Sequence, residues 1–230
     1  MARVLVPVAV LDGGTVSPGL MSLLGTVDVT VLGYHELPEQ TPPDQARLQY
    51  EERATDALED LREEFETAGG AAEHRLVFTR DREQTIARIA EETDADAFAI
   101  SGMTGDVDRL LVSLSDGVAT ERVLSFVAAL IGGREIGVTL FLAGDESGQR
   151  RLEDAAERLR GDGIDVRTEF VPDDPAFEAL MDVLPGHDAV VVGENAPSLR
   201  SLVFGSESER LASASVGPVL VVRGGESSSE

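Results

Sequence analysis

Apolar runs and amphipathic stretches alternate along this chain. Val4-Leu5-Val6-Pro7-Val8-Ala9-Val10 is continuously apolar, as expected of a strand covered on both faces of a parallel sheet. Pro7 cannot donate to a ladder, so this strand is expected at an edge or at a bulge. Asp12-Gly13-Gly14 ends it, Ser17 to Leu24 reads as a short helix, and Val27 to Leu32 alternates as a second strand. Pro42-Pro43-Asp44 fixes the start of a long helix and offers an N-cap carboxylate. In that helix Ala54, Leu58, Leu61 and Phe65 recur at three- and four-residue spacing, and the other face is Glu and Asp. Glu73 to Phe78 is a third strand, Asp81 caps a helix over Gln84 to Glu92, and Ala95 to Ile100 is a fourth strand. This βαβαβαβ rhythm predicts a doubly wound parallel sheet.

The rhythm then repeats. Val118 to Ile131 reads as a helix, and Gly132-Gly133 marks a hinge between two halves. Ile136 to Ala143 begins a second series, followed by helix Glu146 to Arg160, strand Ile164 to Phe170 and helix Pro175 to Leu184. His187 to Gly193 is a Val-rich strand, and Pro218 to Arg223 is the last one. The expected organisation is an α/β chain of two tandem doubly wound, Rossmann-like domains, over 1–132 and 133–224, with a polar tail over 225–230. The second series lacks one strand–helix unit of the first, and the first has no equivalent of the closing strand.

Charge narrows the function classes. The chain has 230 residues with 43 acidic against 19 basic, a net charge of −24, and every basic residue is arginine. Hydrophobic content is 42%, enough for a core, so the acidity belongs on a folded surface. Self-repulsion of that size opposes a compact state in dilute buffer. At molar salt the Debye length falls to about 3 Å and most of it is screened. The composition therefore suits a salt-rich cytoplasm. No basic stripe exists for nucleic acid, no apolar run is long enough for insertion in a membrane, and cysteine is absent.

Two stretches carry a family resemblance. Gly193, Gly205-Ser206, Glu209-Arg210-Leu211-Ala212 and the Pro218–Arg223 strand resemble the C-terminal signature of the universal stress proteins. Asp94 to Gly105, with Glu121-Arg122-Val123-Leu124 after it, resembles the same signature. Two copies suggest a tandem. The resemblance implies a stress-associated regulatory protein without catalytic turnover, acting through an unidentified protein partner. It also implies self-association, because in this family the closing strand, here Pro218–Arg223, commonly pairs across a two-fold; the two halves are expected to pair with each other or with a second chain.

Nucleotide-binding members carry a Gly-x-x-Gly loop, nine further residues and then Gly with Ser or Thr, and an aspartate ending the first strand meets the nucleoside. The candidate cofactor-binding residues are therefore Gly102 and Gly105 in the first copy and Gly193, Gly205 and Ser206 in the second. Free N–H groups at a helix start would hold the phosphates. Departures are evident. Eleven residues separate Gly105 from Gly117, which precedes Val118; Ala196 replaces a glycine, and Gly205 comes one residue early. The first strand ends Val8-Ala9, and the strand matched to it ends Leu142-Ala143, neither with an aspartate. A missing hydrogen bond to a charged group costs about 1.5–3 kcal/mol. The expectation is a degenerate site with no cofactor bound; the alternative is ATP or AMP held by the Gly193–Ser206 loop, with slow hydrolysis. Asp106 and Asp108 could flank a cation beside a phosphate, but His35, His74 and His187 share no metal-ligand spacing, and no metal is expected.

Overall fold

A computed structural model of the chain describes residues 1–38, 40, 42–100, 102–114, 119–172, 176–194 and 217–224. One flank of its sheet is made of β1 (Arg3–Ala9), β2 (Asp28–Glu36), β3 (Ala71–Thr79) and β4 (Ala97–Ile100), all parallel, in the order β3-β2-β1-β4. The other is made of β5 (Arg109–Ser113), β6 (Gly137–Gly144), β7 (Val166–Pro172) and β8 (Ala189–Gly193), also parallel, with β8-β5-β6-β7 running outward. Between them lies β9 (Val219–Val222), parallel to β8 and antiparallel to β4. The two sets expected from the sequence are thus one continuous sheet with a single antiparallel junction.

Helices cover both faces, because the strands carry apolar residues on both. On one face lie α1 (Pro18–Leu23), α2 (Pro43–Thr67), α4 (Ala119–Ile131) and α5 (Glu146–Gly161), which contribute Leu20, Leu58, Phe65, Val127, Leu130 and Leu159 to the larger core. On the other lie α3 (Arg82–Glu92) and α6 (Ala176–Val183), with Ile86, Ile89, Ala179 and Leu180 over Phe98, Phe141 and Val221. The stripe Ala54, Leu58, Leu61, Phe65 is buried as its spacing predicts, while the Glu and Asp on the opposite side of α2 face solvent. Capping follows the sequence at Asp81, whose Oδ1 accepts the Gln84 N–H at 2.9 Å. It does not at α2, where Pro42 occupies the cap position without a side-chain bond.

Two expectations are corrected. Pro7 lies in an interior strand, between β2 and β4. It is tolerated because the ladder to β4 runs only over Val4 and Leu5, so at Pro7 that side has no bond to lose. Arg109–Ser113 is a strand, and it supplies the unit expected to be missing from the second series. Of the two pairings open to Pro218–Arg223, with the other half or with a second chain, the structure shows the first. Its strand β9 is paired on both sides within the chain, so the two flanks pair with each other.

The chain crosses from one flank to the other in 101–108, directly from β4 to β5. The Gly132-Gly133 division expected from the sequence therefore falls inside the second flank, where the pair turns α4 into β6 with φ of +57° and +81°. Further ties cross the junction. Arg134 donates to the carbonyls of Ser22 (2.6 Å) and Leu23 (2.7 Å) at the end of α1, and to those of Leu130 and Ile131 at the end of α4. A guanidinium suits two helix C-termini, and its partial burial lowers its pKa.

Where β4 ends and β9 begins, Gly102 meets Gly217 so closely that a methyl group on Gly102 would overlap the Gly217 carbonyl, whereas one on Gly105 would meet nothing. Gly102→Ala is expected to cost about 1–3 kcal/mol, as overpacking does, and Gly105→Ala to be near neutral, measured by urea denaturation in molar KCl. Asp145 caps α5 through the N–H groups of Ser147 and Gly148. The Ser147 hydroxyl, first, and those N–H groups hold its carboxyl below the usual carboxylate range. Stability from a depressed carboxylate is present above the unfolded pKa, about 3.9, and is lost as pH falls through the folded one. The stability difference between wild type and Asp145→Ala should therefore be full at pH 6 and vanish on acidification below that range.

Candidate functional site

In open α/β sheets, ligands bind beyond the carboxyl ends of the strands. Here the two flanks point in opposite directions, so their carboxyl ends lie at opposite ends of the sheet. Each end has to be read separately.

At the carboxyl end of β1 and β4 lie Gly102, in close backbone contact, and Gly105, with open space where a side chain would be. Gly102 backs onto Gly217, and α1 lies against the loop, so a methyl group on Gly19 would overlap the Gly105 carbonyl. The element after this loop is β5 and not a helix. The loop therefore lacks the helix start whose free N–H groups would receive a phosphate. The strand turns at Ala9, whose carbonyl accepts the Asp12 and Gly14 N–H groups, both at 3.0 Å. This turn presents Asp12, exposed and 3.8 Å from His35 Nδ1. A carboxylate does follow the first strand, three residues beyond its end at Ala9.

Asp106 and Asp108 belong to the crossover. The Asp188 carboxylate accepts the N–H groups of Asp108 and Arg109, each at 2.9 Å, and so fastens the start of β5. Arg109 donates to Asp165 at 2.8 Å and holds that carboxyl below its ordinary pKa. His187 meets the Thr139 hydroxyl through Nε2 at 2.8 Å. His35 and His74 sit on β2 and β3. Among the described residues no group of three or more His, Asp or Glu could hold a metal ion.

At the opposite end, β5 and β8 are parallel neighbours with Ser113 beside Val192. Gly193, buried, is the last residue of β8 and lies beside Val222 of β9. The Glu194 N–H donates to the Val222 carbonyl (2.7 Å), and the Gly224 N–H to Glu194 Oε2 (2.9 Å). This stitches the ends of β8 and β9 together. The Arg122 guanidinium, in the first turns of α4, donates to the Arg223 carbonyl at 3.4 Å. Neither arginine was singled out from the sequence for this end. Gly205 and Ser206 lie outside the described residues.

The aspartate missed in the second series is visible once β5 is recognised. Val8-Ala9-Val10-Leu11-Asp12-Gly13 and Val112-Ser113-Leu114-Ser115-Asp116-Gly117 share one layout: the end of a strand, then Asp-Gly three residues on. Leu142-Ala143 ends β6, which in the strand order holds the place of β2, whereas β5 holds that of β1. Asp116 itself lies outside the described residues.

No protein-family model matches the sequence, and no curated protein matches it. Solved structures do. A universal stress protein from Archaeoglobus fulgidus DSM 4304 superposes with a TM-score of 0.70 at 18% identity, covering 97% of this chain and 97% of that one. The cytoplasmic domain of a prokaryotic cation chloride cotransporter gives 0.55 at 13% identity, covering 96% of this chain and 94% of its own. A functionally unknown protein from Pseudomonas aeruginosa PAO1 gives 0.55 at 14%, with 97% and 92% covered. No helix among the described residues is long and apolar enough to cross a membrane. In strand order, layering and overall superposition, the chain has the fold of the universal stress proteins.

Proposed function

We propose that this chain is a regulatory protein of universal stress type, built from two copies of one pattern that share β9, and that it holds one adenine nucleotide without turning it over. The observation that carries the reading is the parallel pairing of β5 with β8. It brings the chain leading to Asp116-Gly117 and the chain leaving Gly193 off neighbouring strand ends, the two places where the fold family keeps its nucleoside carboxylate and its phosphate loop. The first flank does not repeat this arrangement, since its loop runs into a strand and α1 packs against it. One nucleotide per chain follows.

A second reading, a regulator that has lost nucleotide and works through protein contacts, is favoured by Ala196 in place of a loop glycine and by the one-residue shift of Gly205. Exposed Leu48 and Met103 would serve such contacts. In either reading we assign no catalytic residue.

Equilibrium dialysis with labelled ATP and AMP in molar KCl separates the two. The nucleotide reading expects one equivalent retained per chain, with affinity reduced at least tenfold in Asp116→Ala and in Gly205→Val, the loss expected for one hydrogen bond to a charged group. No retention by the wild type, or retention that both variants leave unchanged, contradicts it.

A further inference from the structure

The sheet ends on β3 at one side and on β7 at the other. Among the described residues β7 pairs with β6 alone. The Val138 N–H donates to the Asp165 carbonyl at 2.8 Å, and in a parallel pair one such bond fixes which residues turn toward the neighbour. Arg167, Glu169 and Val171 therefore aim their backbone groups at β6, while Val166, Thr168 and Phe170 aim theirs outward. A row of open N–H and C=O groups is a template for a further strand.

The side chains alternate across the same strand. Val166 and Phe170 lie on the face that α5 covers, and Phe170 is only half-buried there. Arg167 and Glu169 lie on the other face, beside Thr139 and Phe141, and both are exposed. Asp165, held below its ordinary pKa first by the Arg109 bond, also feels the charge of Arg167. Among the described residues neither Arg167 nor Glu169 forms a hydrogen bond or an ion pair. Edge charges commonly ward off a neighbour, but here their signs fit a reversed copy of the same strand. In an antiparallel pair centred on Thr168, Thr168 meets its own counterpart, Val166 meets Phe170, and Arg167 meets Glu169. That centre puts the residues with open backbone groups at the hydrogen-bonded positions. The charges fall at the closer positions, with Cα atoms about 4.5 Å apart, where opposite charges favour pairing and like charges oppose it. The ladder also ends itself. The next position sets Pro172, which has no N–H, against Ile164, whose N–H already donates to the Leu159 carbonyl.

We propose that the β7 edge docks a second copy of this chain, antiparallel about a two-fold axis at Thr168, so that one sheet runs through both copies. The contact is isologous and uses up β7 in each copy, so it closes at a dimer. Along β3 a comparable pair, Glu73 and Arg75, flanks His74, but Arg75 already bonds Glu92 at 3.2 Å within the chain. Two copies of net charge −24 repel each other in dilute buffer, and molar salt screens that repulsion.

Sedimentation equilibrium of the full chain in molar KCl tests the assignment, with a reversible dimer expected for the wild type. Thr168→Pro removes a central N–H that β6 does not use, and should weaken the dimer by roughly tenfold or more while the far-UV spectrum stays that of the wild type. Arg167→Glu and Glu169→Arg should each weaken it by a similar factor, since each sets like charges opposite one another. An equimolar mixture of those two variants should associate as a heterodimer, because both cross-strand pairs are then of opposite sign. The Leu37 N–H, donating to the Thr79 carbonyl at 2.7 Å, likewise turns His74 outward on β3, and His74→Pro should leave the dimer intact. A wild type that is monomeric at every concentration overturns the proposal. So does a dimer that the β7 variants leave unchanged, or a mixture that associates no more tightly than either variant alone.

Discussion

Everything in this molecule depends on β9 being hydrogen-bonded along both of its edges. Two series of strands each end in an apolar strand that needs a neighbour, β4 with Ala97–Ile100 and β8 with Ala189–Gly193. An apolar strand left at a sheet edge is a template for aggregation. The chain places one closing strand between them, with Leu220 and Val221 fully buried. Ala97 to Ile100 pair with Val222 to Val219 on one side, and Val190 to Gly193 pair with Val219 to Val222 on the other. One four-residue strand thus closes both flanks.

This sharing explains the asymmetry between the two ends. The first series does not need its own closing strand or the helix before it, so β4 passes into β5 within 101–108. The element that follows β4 is therefore a strand and not a helix. What remains at that end is tight backbone packing, α1 on the Gly105 loop and Gly102 on Gly217. Cross-flank bonds then hold the halves in register, with Arg134 joining the ends of α1 and α4 and Arg223 reaching the carbonyls of Ala90 and Ala95.

Most elements were legible in the sequence because their periodicity is clean. The α2 stripe, the Asp81 cap and the Val-rich β8 and β9 lie where the pattern puts them, within a few residues. What was not legible shares one cause. Arg109–Ser113 is short and lies between the acidic Asp106, Asp108 and Asp116, so local polarity hides a strand whose burial comes from β6 and β8 on either side. Missing it displaced the start of the second series and concealed Asp116, although the Asp-Gly echo of Asp12-Gly13 was present throughout. Pro7 misled for a similar reason, because where a neighbouring ladder stops is a property of the partner strand. Arg122 and Arg223 join the candidate site only through strand order, which sequence spacing does not report.

The central claim is that β9 is a strand of both halves. Native-state amide hydrogen exchange of the full chain in molar KCl tests it most directly. The account predicts that the Val219–Val222 amides exchange only with global unfolding, together with those of β4 and β8. Early exchange of β9, or β4 opening separately while β8 and β9 stay protected, would contradict it.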